Sequence, residues 1–235
     1  MGSSPAPSPI TLRARGILFD MDGVLISSIG SVERSWGKWS AARGVDPAHA
    51  VGLAHGRRAV ETVRLLRPDL DAQEELEWLE RMEMNDNIGV QMLHGVRAIL
   101  ETLPEKFWTV VTSATDRLAR SRMAHAGIPV PARIVSADMV SHGKPHPEPY
   151  RQGAEILGLA PVDCLVIEDS ASGAQAGRAA GCQVLATLFS HSLSSLSDAD
   201  WVVRSLEDVR VALEGNTLAI AFTPLSREAV SAHQS

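Results

Sequence analysis

A short apolar run that ends in two aspartates and a glycine constrains the fold of this chain more than any other stretch. Residues 16–25 read Gly-Ile-Leu-Phe-Asp-Met-Asp-Gly-Val-Leu. Such a run predicts a strand buried on both faces. In an open parallel α/β sheet, ligands bind beyond the carboxyl ends of the strands, which is where Asp20 and Asp22 fall. Because side chains alternate along extended chain, both carboxylates would face one cleft. A solvated Asp-Gly turn is the alternative that this stretch alone leaves open.

The composition favours helices packed on a buried sheet and excludes several classes of protein. Of the 235 residues, 45% are hydrophobic and 4% aromatic, which suits a sizeable core with a smaller companion. The net charge of −6 argues against nucleic acid or an anionic membrane as a principal partner. No apolar run approaches the roughly 20 residues that span a bilayer. The opening segment lacks the features of a signal peptide, so we expect a cytoplasmic protein whose two cysteines are reduced and buried.

The chain divides into a helical insert between stretches of alternating strands and helices. Residues 1–11 are predicted as a disordered tail, residues 12–26 and 95–228 as the core domain, and residues 27–94 as the inserted helical domain, which we call the insert. Strands are predicted over residues 108–112, 133–135, 165–167, 183–186 and 201–203. A last helix is predicted over residues 206–213, with a loose end from Ala229. Strands that alternate with helices predict right-handed crossovers and a parallel sheet.

Acidic side chains recur just past the ends of the predicted strands. Asp20 and Asp22 follow the first strand, and Glu168 and Asp169 follow a later one. The carboxyl ends of parallel strands share one edge, so these acids would repel one another strongly unless a cation neutralised them. Oxygen ligands without histidine or cysteine favour Mg²⁺. Taken singly, Glu168 and Asp169 also suit the start of a helix.

Two further side chains extend this predicted site towards an anion. Ser113 offers a hydroxyl where the next helix begins, and Lys144 lies in a segment stiffened by prolines. The alternatives are a simple N-cap for Ser113 and a solvated lysine. His142 and His146 have i, i+4 spacing, but Pro145 and Pro147 rule out a continuous helix, so we do not expect a zinc site there.

Four motifs in a fixed order resemble those of the haloacid dehalogenase superfamily over nearly the whole chain. They are the Asp-x-Asp-Gly after a strand, the Thr-Ser turn, the Gly-Lys-Pro segment and the Glu-Asp before a helix of small residues. The resemblance implies an α/β fold, a Rossmann-like parallel sheet flanked by helices with a small α-helical cap inserted after the first strand. It also implies a Mg²⁺-dependent phosphatase in which Asp20 is the nucleophile that forms an aspartyl-phosphate. Asp22 would be the general acid and then the general base.

The same resemblance assigns the remaining site residues. The Mg²⁺ ligands it implies are the Asp20 and Asp169 carboxylates and the backbone carbonyl of Asp22, with Glu168 bound directly or through water. The residues implied to hold the phosphoryl group are Ser113, the Ala114 N–H and Lys144.

A closer resemblance, carried by Gly44-Val45-Asp46-Pro47, His55-Gly56-Arg57-Arg58 and Val111-Thr112-Ser113, is to the glycerol-3-phosphatase and 2-deoxyglucose-6-phosphate phosphatase subgroup. It implies a small sugar or polyol phosphate as substrate. The insert and the Thr-Ser turn supply the candidate substrate contacts, which are Arg57, Arg58, His55, Glu33, Trp36 and Thr115. We expect a small phosphorylated metabolite as the partner, and a monomer or weak dimer.

Two departures bear on alternative functions. Beta-phosphoglucomutases usually carry a histidine four residues before a tryptophan in the first cap helix, whereas here Val32 precedes Trp36. A phosphotransferase of that type is therefore the less favoured alternative, beside a non-catalytic binding domain on the same fold. In addition, Ser27-Ser28 stands where this branch often has an aspartate.

Overall fold

A computed structural model describes residues 8–226 of the chain. Residues 1–7 of the predicted tail, and the end predicted to be loose from Ala229, lie outside the described residues. Strand β1 (Ile10–Ala14) begins inside the predicted tail. The later strands are β2 (Gly16–Phe19), β3 (Ile26–Ser27), β4 (Gln91–Met92), β5 (Trp108–Val110), β6 (Cys164–Glu168), β7 (Gln183–Thr187), β8 (Trp201–Val203), β9 (Arg210–Glu214) and β10 (Thr217–Phe222). The helices are α1 (Ile29–Arg43), α2 (Pro47–Ala54), α3 (Ala59–Leu66), α4 (Ala72–Met84), α5 (Val96–Leu100), α6 (Asp116–His125), α7 (Glu148–Ile156) and α8 (Ala171–Ala180).

Five strands form one parallel sheet in the order β5-β2-β6-β7-β8. Strand β2 is buried throughout, and its side chains alternate between two apolar clusters: Ile17 and Phe19 belong to one, Leu18 to the other. Met123 of α6 packs in the first cluster and Ala154 of α7 in the second, so helices cover the sheet. The predicted Rossmann-like α/β fold is confirmed. Since all five strands run the same way, their carboxyl ends share one edge, which we call the sheet edge.

The insert has an apolar core of its own, formed by helices α1 to α4. Trp36, Trp39, Val63 and Leu79 are buried in it, and the rings of Trp36 and Trp39 lie 5.3 Å apart between centroids. Strands β3 and β4 pair antiparallel where the chain leaves and re-enters the core. The insert is therefore a separately packed layer joined to the sheet through a two-stranded connection.

Helix α2 was missed by the sequence analysis, although the local signal is present. Pro47 occupies the start of the helix, and the Asp46 side chain accepts a hydrogen bond from the backbone N–H of His49 at 2.8 Å. Asp followed by Pro is a common helix start. Within residues 8–226, none of the helices combines the length and the apolar character needed to cross a membrane.

The predicted last helix over residues 206–213 is wrong. A single 3-10 turn, Leu206–Asp208, leads into β9, which pairs with β10 across a two-residue loop at Gly215 and Asn216. Gly215 has φ +64°, a conformation that glycine adopts without strain and that hairpin turns require. β10 also pairs with β1, so both ends of the described chain meet in a small antiparallel sheet.

The predicted strand over residues 133–135 is also wrong as a strand. Only one parallel bridge forms, between Val111 and Val135. The Arg133 carbonyl accepts a hydrogen bond from the Thr109 hydroxyl at 2.8 Å in place of a strand partner. Pro129 and Pro131 precede this segment and lack the N–H groups that a longer ladder needs. The two cysteines are buried and free, as expected.

Candidate active site

Three acids from two strand ends meet at the sheet edge. Asp20 directly follows β2, Glu168 ends β6 and Asp169 follows it. One carboxylate oxygen from each of the three residues lies within 4.8 Å of the other two. Acids that are 148 and 149 positions apart in the sequence are thus close enough to share an ion, as the parallel sheet predicts.

Lys144 reaches the same edge from the loop before α7, and its side chain is buried. Its ammonium lies 2.6 Å from Asp20 Oδ1 and 2.7 Å from Glu168 Oε1, and it donates to the Val111 carbonyl at 3.1 Å. Burial opposes the charge on Lys144, but the neighbouring carboxylates raise its pKa above the usual lysine value. The ammonium is therefore a fixed positive charge beside Asp20.

Glu168 has its oxygens occupied by protein donors. Tyr150 OH donates to Oε1 at 2.7 Å, and Oε2 accepts from the backbone N–H groups of Asp169 and Ser170 at 2.9 and 3.0 Å. Burial opposes ionisation, but Lys144 and these donors lower the pKa of Glu168. Glu168 does not line the cavity described below. Its geometry fits a residue that anchors Lys144 and reaches an ion only indirectly.

Tyr150 was missed by sequence reasoning. It is the only tyrosine of the chain, it is fully buried, and the Lys144 ammonium lies 5.0 Å from its ring centroid. A tyrosine is seldom buried without a partner for its hydroxyl, so its position shortly after the Gly-Lys-Pro segment was an available signal.

The electrostatics of the acids fit a hard divalent cation. Burial raises the pKa of Asp20 to about 8, with Lys144 offsetting part of that effect. Burial, helped by the charges of Glu168 and Asp20, raises the pKa of Asp169 well above its usual range. A Cβ at Gly23 would overlap the Asp169 carboxylate, so only glycine leaves room for this acid. Oxygen donors that need a positive charge in order to stay ionised are the donors that Mg²⁺ prefers.

Asp22 belongs to a second ionic network that sequence reasoning missed. Its Oδ1 accepts hydrogen bonds from the Ser28 hydroxyl at 2.5 Å and from Arg122 Nη1 at 3.0 Å. Arg122 of α6 also donates from Nη2 to Glu83 of α4 at 2.9 Å, and it is only 3% exposed. Burial raises the pKa of Glu83, and Arg122 counteracts that shift. This chain of contacts ties Asp22 to the last helix of the insert.

A cavity of about 820 Å³ lies between the sheet edge and the insert. Asp20, Asp22 and Asp169 line it from the core, and Val32 and Trp36 line it from α1. The volume is typical of sites for small molecules. A ligand in this space would contact the insert on one side and the acids on the other.

The loop between α2 and α3 enters this cavity and touches the predicted phosphate-binding turn. The Gly56 carbonyl accepts hydrogen bonds from the hydroxyls of Ser113 and Ser172, each at 3.2 Å. Gly56 has φ +73°, and a Cβ there would lie 2.7 Å from the hydroxyls of Ser170 and Ser172. Glycine at this position lets the insert's backbone approach the core. The Ala114 N–H donates to the Thr112 hydroxyl at 3.1 Å in the same turn.

Three of the predicted substrate-binding residues line the cavity, and they differ in whether their polar groups already have hydrogen-bond partners. Arg57 lines the cavity and is exposed. His55 also lines it, and its Nε2 is buried without a hydrogen-bond partner. Thr115 lines it while donating from its hydroxyl to Glu80 at 2.5 Å and capping α6. His55 and Arg57 therefore retain polar groups for a ligand.

The guanidinium of Arg58 is already occupied by contacts within the protein. It pairs with Glu61 and donates to the carbonyls of Ala137, Val140 and Ser141 at 3.3, 2.7 and 2.9 Å. Although Arg58 lines the cavity, these contacts fasten the insert to the core loop that leads to Lys144.

The assignment of Glu33 to the substrate site is wrong. Glu33 is exposed and does not line the cavity. The face of α1 that lines the cavity carries Ile29, Val32 and Trp36, at the i, i+3, i+7 spacing of one helix face. Glu33 follows Val32 by one residue, about 100° further round the helix, so it points elsewhere.

The fold and the site together comprise a parallel α/β core with a lysine among acids at its carboxyl edge, facing a cavity beneath a helical insert. The family model of haloacid dehalogenase-like hydrolases matches residues 14–181, and the chain belongs to this family. The predicted family and the prediction of an enzyme are thereby confirmed.

Two relatives and one solved structure illustrate the similarity. Hexitol phosphatase A of Escherichia coli (strain K12) is 37% identical over 210 residues, which cover 87% of this chain and 97% of that protein. Glycerol-1-phosphate phosphohydrolase 2 of Saccharomyces cerevisiae is 31% identical over 219 residues, covering 86% and 87%. The crystal structure of beta-phosphoglucomutase from Clostridium difficile has a TM-score of 0.72 at 19% identity, covering 84% and 93%, and shows the shared fold.

Proposed function

We propose that the protein is a Mg²⁺-dependent phosphatase that hydrolyses a small sugar or polyol phosphate through an aspartyl-phosphate on Asp20. The observation that carries this proposal is the placement of the Asp20 carboxylate on the cavity wall, 2.6 Å from a buried lysine and within reach of Asp169. A nucleophilic carboxylate needs such neighbours, because a phosphate ester brings additional negative charge. The similarity to hexitol phosphatase A and to glycerol-1-phosphate phosphohydrolase 2 supports the substrate class.

The residues that would hold Mg²⁺ are the Asp20 and Asp169 carboxylates and the backbone carbonyl of Asp22. Glu168 would act through water, since its oxygens already accept four hydrogen bonds from Tyr150, Ser170 and backbone donors and also contact Lys144. When bound, the cation supplies positive charge next to the phosphoryl oxygens. Its charge would keep Asp20 and Asp169 ionised at neutral pH, although burial raises the pKa of both carboxyl groups.

The reaction divides between two aspartates. In the first step an Asp20 oxygen attacks phosphorus, the bond to the ester oxygen breaks, and Asp22 donates a proton to the departing alkoxide. In the second step Asp22 accepts a proton from a water molecule, whose oxygen attacks the same phosphorus and releases phosphate and free Asp20. Lys144, the Ser113 hydroxyl and the Ala114 N–H would hold the phosphoryl oxygens in both steps.

Arg122 acts in this scheme as a positioning residue. It holds the Asp22 carboxylate from the side of α6 while Glu83 of the insert holds Arg122. Since Glu83 belongs to α4, the network is complete only when the insert lies against the core. Ser28 supplies the second contact to Asp22 from the connection between the two layers. The orientation of the proton donor is therefore linked to the position of the insert.

Substrate selection would fall to the insert. The cavity wall opposite the acids offers the cation of Arg57, the unpaired Nε2 of His55 and the indole of Trp36. A cation and a hydrogen-bonding nitrogen suit the hydroxyl groups of a sugar or polyol. Val32 lines the cavity at the position where a beta-phosphoglucomutase usually carries a histidine, which makes a phosphotransferase the less favoured alternative.

A panel of phosphorylated metabolites tests this function. Purified protein should release phosphate from sugar and polyol phosphates in the presence of Mg²⁺ and lose that activity in EDTA. Asp20→Asn protein, prepared in parallel, measures any contaminating phosphatase. Equal rates with and without Mg²⁺, or release by the Asp20→Asn protein at the wild-type rate, would contradict the proposal.

A further inference from the structure

The turn that carries Lys144 brings three potential metal ligands together on its outer surface. His142 Nδ1 lies 3.0 Å and His146 Nδ1 lies 3.9 Å from the same oxygen, Oε2 of Glu148. The two imidazole rings are 4.6 Å apart between centroids. The sequence analysis rejected a zinc site here because prolines prevent a continuous helix. No helix does run through residues 142–146, but the turn brings the side chains together without one.

The backbone of this turn fixes the carboxylate. The N–H groups of Ser141 and His142 donate to the two oxygens of Glu148 at 2.7 and 3.0 Å, and the His146 N–H donates to the Gly143 carbonyl at 2.9 Å. Backbone contacts with Ser141 lower the pKa of Glu148, with a further contribution from His142. Glu148 is thus an ionised ligand held in a defined position at the start of α7.

We propose that His142, His146 and Glu148 form a second metal site, specific for a borderline divalent ion such as Zn²⁺. Two imidazoles and one carboxylate are a donor set of zinc, and bonds of about 2.0–2.1 Å in a tetrahedron separate the ligand atoms by about 3.3 Å. The observed 3.0 and 3.9 Å lie on either side of that value.

The surroundings allow the coordination sphere to be completed. The side chains of His142 and His146 are 67% and 47% exposed, so water has access to the remaining position. Coordination by His146 Nδ1 would replace the hydrogen bond that this atom accepts from the Glu148 N–H at 3.2 Å. Coordination by His142 Nδ1 would likewise replace its 3.0 Å hydrogen bond to Glu148 Oε2, so both atoms would remain ligated.

The two sites differ in the ion that they suit. The site of Asp20 and Asp169 is buried and offers oxygen alone, whereas the second site offers imidazole nitrogen on the surface. Affinity of nitrogen-containing sites rises from the hard ions towards Cu²⁺ and Zn²⁺. Mg²⁺ in excess should therefore leave the histidine site free for Zn²⁺.

Calorimetric titration with ZnCl₂ in excess Mg²⁺ tests the site on the full chain. Wild-type protein should bind one Zn²⁺ ion. Both His142→Ala and His146→Ala should bind it at least about tenfold more weakly. His125→Ala, an exposed histidine on α6, should bind as wild type does. Asp169→Asn should also retain this binding event, because it alters only the oxygen site. Zn²⁺ binding of wild-type strength in either His142→Ala or His146→Ala would overturn the proposal.

Thermal unfolding provides an independent readout. An ion that binds only the folded chain raises the unfolding temperature. Zn²⁺ should raise it for wild type and His125→Ala, and by less for His142→Ala. Phosphate release in Mg²⁺ alone should be the same for His142→Ala and wild type. An equal Zn²⁺-induced rise in all three proteins would refute the assignment to these ligands.

Discussion

The sheet edge and the junction with the insert each bury a positively charged side chain, and they stabilise it in different ways. At the sheet edge, Lys144 finds Asp20, Glu168 and the Val111 carbonyl, all within the core. At the junction, Arg122 finds one partner in the core, Asp22, and one in the insert. The first arrangement is complete without the insert, whereas the second requires both layers.

The contacts formed within the core and the contacts formed with the insert can therefore be altered separately. Asp20 and Lys144, the proposed nucleophile and a proposed phosphoryl contact, meet at the strand ends through a contact that does not involve the insert. Asp22, the proposed proton donor, and Ser113 are instead linked to the insert. Arg122 connects Asp22 to Glu83, and the Ser113 hydroxyl donates to the Gly56 carbonyl. Changes at the sheet edge should therefore abolish turnover, and changes at the junction should alter its rate or selectivity.

The largest effect is expected from Asp20→Asn. Removing the nucleophile should lower kcat at least about 10³-fold, as losses of covalent nucleophiles do. The near-isosteric amide should leave the circular dichroism spectrum unchanged. Asp163→Asn is the matched control, since this half-exposed residue lies at the opposite end of β6. Substantial turnover by Asp20→Asn would refute the assigned nucleophile.

Arg122→Met should have the next largest effect. Leaving Glu83 and Asp22 without their buried cation should cost about 3–5 kcal/mol of unfolding free energy and lower kcat about 10- to 100-fold. KM should change less, because Arg122 holds the proton donor. Arg122→Lys should recover part of kcat. If KM rises while kcat stays at the wild-type value, Arg122 does not position Asp22.

Gly56→Ala tests the close approach of the insert. A Cβ would clash with the hydroxyls of Ser170 and Ser172, and φ is positive. The loop should move away from Ser113, and kcat/KM should fall about tenfold because the cavity no longer closes. Gly52→Ala is the control, since a Cβ there meets nothing within 4 Å. Equal kcat/KM in both variants would show that this contact is dispensable.

The raised pKa values of the acids predict a pH-dependent affinity for Mg²⁺. Asp20 has a pKa of about 8 in the fold against an ordinary value of 3.8, so without metal the folded chain retains a proton that the unfolded chain has lost. The contribution of the Asp20 carboxyl to the free energy of unfolding is therefore fully present below about pH 4 and is lost as the pH rises through 8.

Mg²⁺ must displace that proton, so its apparent affinity should rise up to about tenfold per pH unit between pH 6 and 8. The increase in unfolding temperature that Mg²⁺ produces should be larger at pH 8 than at pH 6. Asp169→Asn should weaken both trends without abolishing them, because it removes one of the two acids while the Asp20 proton must still be displaced. An affinity that is constant over this range would contradict the picture of acids protonated in the absence of metal.

The smallest effect is expected at Arg57 and Arg58 on the cavity wall. Arg57→Ala should raise KM a few-fold and alter the ranking of sugar and polyol phosphates, because this cation is exposed and free of the contacts that occupy Arg58. Arg58→Ala should instead lower the unfolding temperature, since it removes the link to the carbonyls of Val140 and Ser141. Unchanged substrate ranking in Arg57→Ala would remove it from the substrate contacts.

Local signals predicted most elements of the core and failed where pairing is decided at a distance. Strands β6 and β7 follow from short apolar runs. Most of β9 was mistaken for part of a helix over residues 206–213, although Gly215-Asn216 after it is a hairpin turn pair. The main partner of this hairpin is β1, far away at the other end of the chain, and no local pattern specifies that pairing.

What the sequence determined by itself is the acidic edge: an apolar strand followed by Asp20, another followed by Glu168 and Asp169, and the rule that parallel strands end together. What only the tertiary structure decided is the network of Arg122, Glu83 and Asp22. An arginine on an amphipathic helix is usually solvated, and its partners here are 39 and 100 positions away. The physical reason is that an apolar strand followed by acids is a local pattern that recurs along the chain. A buried ion pair, in contrast, exists only when the two separately packed layers lie against each other.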